Sequence, residues 1–245
     1  MSTSTSSDDP GLREREEVRH LPEGLWQQLR SDPGGAPEHL ALAAIDRWGQ
    51  QARAFGEQAR RERPDASNRE LAELVKARHA LLARMAGAAA GVPGSLVPVA
   101  GSVAALLPDL GALAWIQSRM VVHIVAVYGH DTTDRETAAE LLVLQGIYNT
   151  TGAARVALTQ ASQRVATRLV KRYVTGATLV LLRNLFRYVG IRFVRTGLLK
   201  AVPFIAIPIG AVVNEAATRS LANRAITYYD THPRGDVSAR AASGT

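Results

Sequence analysis

The run LGALAWIQSRMVVHIVAVYG at residues 110–129 contains one cation, Arg119, and no acid. As a helix it is apolar on nearly every side until Gly129, and such a helix has to be central, inside a globular core or inside lipid. Its length does not choose between them, because ~20 apolar residues also suffice to cross a bilayer. Asp109 stands directly before the run, where it can cap the helix, and Tyr128-Gly129 closes it. His123 follows Arg119 by four residues, so both lie on one face. A lone histidine in such a helix reads as a hydrogen-bonded core residue rather than a catalyst.

Amphipathic patterns flank this run. Pro37 suits a first helical turn with Glu38 beside it, where a carboxylate meets the helix dipole favourably. Leu40, Ala44, Trp48, Ala52, Phe55 and Ala59 then recur at near-helical spacing up to Pro64. Ser67 and Glu70 have the spacing of a capping box, followed by a stripe of Leu71, Leu74, Ala77 or Arg78, Leu81 and Leu82. Thr133 and Glu136 offer a second box for a helix through about Tyr148, and a closing helix runs from about Asn214 to Tyr229 with Glu215 and Arg219 paired. No segment sustains period-two alternation. The pattern predicts an all-α, single helical domain over residues 36–230, with a mostly disordered tail at 1–35 and another at 231–245.

Two hydrophobic elements are interrupted. Residues 85–108, MAGAAAGVPGSLVPVAGSVAALLP, carry no charge, but Pro93, Pro98, Pro108 and four glycines argue against one straight helix. Within it Gly87 and Gly91 have the small-xxx-small spacing of close helix packing. The second element, AVPFIAIPIGAVVN at 201–214, is broken by Pro203, Pro208 and Gly210 and ends on Asn214. The central helix from Leu110 to Tyr128 should be wrapped by these two elements.

Charge is distributed unevenly. The formal net charge is +7, yet residues 1–140 hold 15 basic and 19 acidic groups, whereas residues 141–214 hold ten basic groups and no acid. The acid-free segment is also strongly apolar, a combination that favours an anionic lipid surface over nucleic acid. Arg164, Arg168, Lys171 and Arg172 fall within roughly a 100° arc at helical periodicity. Arg183 and Arg187 share one side further on, and Lys200 precedes the second broken element. The rival explanation is a solvated face whose acidic neighbours, such as Glu57, Glu62 or Glu73, come from elsewhere in the fold.

Chemistry finds little support. Cysteine is absent, and no phosphate-binding glycine loop, HExxH or GxSxG motif occurs. Asp109 and His123 would be roughly 21 Å apart along one helix. His130 and Asp131 form the one conceivable small acid–base site. No catalytic or metal-ligating residue and no cofactor is assigned.

HALLARMAGAAAGVPG, LLPDLGALAWIQSRMVVHIVAVYGHDTTD and VPFIAIPIGAVVNEAATRSLANRAITYY, in that order, resemble the motif blocks of the EcsC protein family, a bacterial family named for a member encoded beside an ABC exporter. The resemblance covers about residues 36–230 and marks Gly87, Gly91, Asp109, Tyr128, Gly129, Asp131, Pro203, Gly210 and Asn214 as motif positions. It implies no catalytic residues and no cofactor, and a possible transporter or other membrane-protein partner. Without a secretory or transit pattern at its start, the chain is expected in the cytoplasm, peripherally attached to an anionic membrane surface and not enzymatic. The alternatives are a soluble bundle that binds an apolar ligand or partner helix between the broken elements, and a hydrolase centred on His130 and Asp131.

Overall fold

The computed structural model describes residues 21–89, 107–167, 183–185, 187–188 and 206–232. Order begins upstream of Pro37. Leu21, Leu25 and Leu29 recur every four residues and all three are buried, Leu21 just before helix α1 (Glu23–Ser31) and the other two within it. A 3₁₀ turn at Pro33–Gly35 leads into α2 (Ala36–Glu62), with Pro37 in its first turn as the sequence predicts. Residues 21–35 therefore belong to the folded body, not to a tail.

Helix α3 (Asn68–Ala89) starts at the Ser67–Glu70 box: the Ser67 N–H donates to Glu70 Oε2 at 2.8 Å, and the Glu70 N–H donates to Ser67 Oγ at 3.2 Å. Its buried positions include Leu71, Ala72, Val75, His79, Ala80 and Ala83. Leu74 and Leu81, which the stripe assigned to the core, are exposed instead.

Helix α4 (Leu107–Val127) is the centre. Every residue from Leu110 to Tyr128 is buried, and among the described residues Leu110–Val127 is the one helical window long and apolar enough to cross a membrane. Among the described residues α2, α3, α5 and α7 pack on it; residues 90–106 and 201–205 of the two broken elements, expected to wrap it, lie outside the described residues. Gly56 shows how close α2 comes, since a Cβ there would lie 2.8 Å from the Ala126 carbonyl oxygen. One heptad earlier Gly49 has the same role against Thr132. Gly129, at φ +79°, turns the chain after α4.

Helix α5 (Arg135–Leu144) is capped by Asp134, whose carboxylate accepts from the Glu136 N–H at 3.3 Å, so Thr133 is not the cap. It ends before Tyr148 because Gly146, at φ +72°, brings the Gly146 N–H back to the Val143 carbonyl at 2.8 Å and the Ile147 N–H to the Leu142 carbonyl at 2.9 Å. Helix α6 (Thr151–Thr167) is tied to α5 by Arg155, which makes a bidentate pair with Glu136 at 2.5 and 2.8 Å. Helix α7 (Ala206–Thr231) begins earlier than Asn214. Pro208 then falls in the first turn, where its missing N–H breaks no intrahelical bond, so the later part of the second broken element is continuous helix. No strand occurs among the described residues, and the chain is all-α.

Helix directions follow from the cross-links. Trp48 packs on Trp115 and Phe55 on His123, so α2 and α4 run the same way. Gln117 reaches Thr218 and Tyr128 reaches Asp230, which makes α7 parallel to α4. Arg69–Asp230, Lys76–Asn223 and Arg84–Glu215, at 2.8, 3.0 and 3.8 Å, hold α3 antiparallel to α7 in a single register. One end of the bundle thus collects the C-terminus of α3 and the N-termini of α4 and α7; the other collects their opposite ends.

Candidate functional site

The titratable groups gather at two places. At the C-terminal end of α4, Glu140 of α5 accepts the Tyr229 hydroxyl at 2.7 Å and the Tyr228 hydroxyl at 3.2 Å. Burial raises the Glu140 carboxyl above its ordinary pKa, although both hydroxyls pull it down. Tyr229, itself buried, is pushed well above the usual tyrosine value by burial first and by Glu140 second. Beside it the Tyr128 hydroxyl donates to Asp230 at 2.5 Å, and Arg69 of α3 donates to the other oxygen of the same carboxylate at 2.8 Å. Burial and that hydrogen bond raise Tyr128 as well. The ring of His130 lies 5.0 Å from that of Tyr229, and His232 stacks on Tyr228 at 4.3 Å. Four helices are fastened here by carboxylates whose donors are tyrosines and an arginine. Sequence reasoning missed this cluster; the signals were Tyr228-Tyr229-Asp230 in a row and Glu140 as an acid among apolar positions of α5.

The second place is inside the α3–α4 interface. His79 and His123 lie ring to ring at 5.6 Å, each with Nδ1 donating to the carbonyl four residues back, Val75 at 2.9 Å and Arg119 at 2.8 Å. His123 is thus a hydrogen-bonded core residue. The Arg119 guanidinium stacks over Trp48 at 4.6 Å. Burial drives the His79 pKa well below its ordinary value, with the positive fields of His123, Arg119 and Arg78 adding to it. Neither place holds three ligand-type side chains positioned for a metal among the described residues.

Asp131, the acid of the expected His130 and Asp131 pair, is held by other donors. Asp131 accepts from the Thr133 N–H at 2.9 Å, the Thr133 hydroxyl at 2.7 Å and Arg53 at 2.9 Å, and those bonds, Thr133 first, lower its pKa. A carboxylate held as an anion by three donors is a poor base. Helix α4 is unbroken between Asp109 and His123, so they stay about four turns apart.

A family model for the EcsC protein family matches residues 44–231. The chain belongs to the EcsC family. No curated protein and no solved structure matches it. The EcsC match runs from within α2 to the end of α7, so it contains both clusters. Of the motif positions, Gly87 is buried near the end of α3, Asp109 is the third residue of α4 rather than its preceding cap, and Tyr128, Gly129 and Asp131 build the α4 end described above. Gly210 and Asn214 lie in α7; Gly91 and Pro203 are outside the described residues.

Of the basic residues, Arg164 lies in α6, while Arg168, Lys171, Arg172 and Lys200 are outside the described residues. Arg183 and Arg187 are both exposed on one side of a short helical stretch. Its other side is buried: Asn184 donates to the Pro33 carbonyl at 2.8 Å, Leu185 is in the core, and the Tyr188 hydroxyl meets Ser118 Oγ at 2.7 Å. Burial pushes Tyr188 up to about 12. No carboxylate among the described residues pairs with Arg183 or Arg187, whereas Arg53, Arg69, Lys76, Arg84, Arg155 and Arg219 all have one. The acidic neighbours offered as the rival explanation are engaged elsewhere in two cases, Glu73 with Lys76 and Glu62 with Gln58.

Proposed function

We propose that this EcsC-family protein is a non-enzymatic, cytoplasmic protein that attaches peripherally to anionic membrane, using the cations of its acid-free segment and adjoining apolar residues, as an accessory to a membrane transport or envelope process. The observation that carries the reading is the pair Arg183 and Arg187, both exposed and without a carboxylate partner among the described residues, on a helical stretch whose inner face is locked into the bundle. Six other described cations, Arg53, Arg69, Lys76, Arg84, Arg155 and Arg219, are paired with acids, while Arg60 and Arg135 bond to a carbonyl and a hydroxyl. Cations near an anionic leaflet contribute about 1 kcal/mol each, so four to six of the seven basic positions named suffice for reversible attachment. Full enclosure of α4 supports peripheral attachment over a single spanning helix.

Vesicle flotation tests this directly. The protein should rise with vesicles that contain phosphatidylglycerol, stay behind with phosphatidylcholine alone, and come off at high salt. Replacing Arg164, Arg168, Lys171, Arg172, Arg183, Arg187 and Lys200 by Gln should abolish flotation while leaving the helical signal unchanged. A protein that remains in the aqueous phase with every vesicle would refute the reading.

A further inference from the structure

Helices α3 and α4 meet through two histidine rings. His79 and His123 face each other at 5.6 Å with 51° between their planes, and Phe55 of α2 packs on His123 at 5.1 Å. Both histidines are buried, 2% and 4% exposed. The Nδ1 of His79 donates to the Val75 carbonyl, so its Nε2 carries the lone pair, and that atom is buried without a hydrogen-bond partner. A proton arriving there would create a donor with no acceptor in a site closed to water.

Its surroundings oppose that proton from every side. No carboxylate among the described residues pairs with His79; burial first, then the positive fields of His123 and Arg119 on α4 and of Arg78 on α3, hold it neutral. The next cation on α3, Lys76, is engaged by Glu73. On α2 the neighbours of the pair are Phe55 and Trp48, while the acids Asp46 and Glu57 and the cations Arg47 and Arg53 are exposed. The Lys76–Asn223 and Arg84–Glu215 links put His79 level with the turn of α7 that holds Leu221 and Ala222, both buried, and Glu215 is engaged by Arg84 and Arg219. Attachment of the α3–α7 pair to the rest of the bundle is uneven. Arg69–Asp230, Lys76–Asn223 and Arg84–Glu215 join the two helices to each other along their length. Tyr128 on Asp230 and Tyr228 and Tyr229 on Glu140 fasten them to α4 and α5 at one pole; farther along, Gln117 reaches Thr218 at a long 3.4 Å.

We propose that the α3–α7 pair is an acid-responsive leaf: protonation of His79 swings it off α4 about the tyrosine–carboxylate pole, uncovering one flank of α4 while the two helices stay folded and joined to each other. A histidine kept neutral in the closed form leaves closure intact above its ordinary pKa of about 6.5 and weakens it as pH falls below that value. In the opened form Nε2 reaches water and the proton is accommodated. The α2–α4 contact, with Trp48 on Trp115 and Gly56 against the Ala126 carbonyl, remains as the fixed body. The switch is independent of the attachment reading above.

Because the chain has no cysteine, nitroxide pairs can be placed cleanly for distance measurement by pulsed electron resonance. Gln51→Cys with Leu81→Cys, both exposed, spans α2 and α3, whereas Leu81→Cys with Val212→Cys stays within the leaf. Between about pH 7.5 and about pH 5 the first pair should gain a second, longer distance, reversibly, and the second pair should not change. His79→Gln and His79→Asn, neutral at either pH, should each remove the longer distance. A first pair that keeps a single distance until the helical signal itself is lost would overturn the switch. Lengthening of both pairs together, which is global unfolding, would overturn it too. A longer distance that persists in both His79 variants would place the sensor elsewhere and end the assignment to His79.

Discussion

The two ends of the α3–α7 pair are built from the same helices in the same register, yet they solve opposite problems. At one end Arg69, Asp230 and Tyr128 close a network, and Glu140 receives Tyr228 and Tyr229. At the other, Met85, Val212 and Val213 are exposed, with Leu81 exposed nearer mid-height, and Glu215 meets Arg84 at 3.8 Å across the helices and Arg219 at 2.9 Å within α7. Buried polar groups are stable only when partnered, so the first end is committed to holding the fold. The exposed apolar side chains of the second add little to the described core.

The largest effect expected from breaking this contrast is at the closed end. Tyr229→Ala removes a side chain that is 1% exposed and takes one donor from Glu140; it should cost about 4 kcal/mol in urea unfolding. Asp230→Ala, which leaves the Tyr128 hydroxyl and Arg69 without their acceptor, should cost about 1–2 kcal/mol by the same measurement.

Protonation gives the next two tests. Burial raises the folded pKa of Glu140 above its ordinary value, so its neutral form is favoured in the fold. Its contribution is fully present below the unfolded pKa and is lost as pH rises through the folded value. Unfolding midpoints of the native chain minus those of Glu140→Gln should therefore fall with rising pH across that window. His79 has the opposite sign. With a folded pKa far below 6.5, it remains neutral in the core while the unfolded chain takes up a proton, so stability is lost as pH falls below about 6.5. A flatter acid limb in His79→Gln would confirm its share; an unchanged limb would place the acid sensitivity elsewhere.

The smallest effect is expected at the open end. Leu81→Ser and Val212→Ser should change stability by no more than about 0.5 kcal/mol, as surface substitutions do. A loss of several kcal/mol from either would show that the end is packed in the folded state, and the contrast between the poles would disappear.

Much of the fold was legible in the chain. The apolar run at 110–128, the Pro37 start and the Ser67–Glu70 box are local signals, and local signals survive into the structure. Helix α1 was missed because serine, proline and glycine around it mask a three-leucine stripe. The α5 boundary was misplaced since Asp134 outcompetes Thr133 as cap and Gly146 stops the helix early. Leu74 and Leu81 of the predicted stripe are exposed, because periodicity identifies an apolar face but not what it faces.

The sequence by itself determined the helices, the central place of α4, the family, and the uneven division of charge, all of which depend on composition and on neighbours within a few residues. Tertiary structure alone decided that Glu140 meets Tyr228 and Tyr229, that Asp230 meets Tyr128 and Arg69, and that Met85 on α3 comes level with Val213 on α7. Those partners lie dozens to more than a hundred residues apart, and only the antiparallel docking of α3 on α7, with α4 parallel to α7, sets which ends coincide.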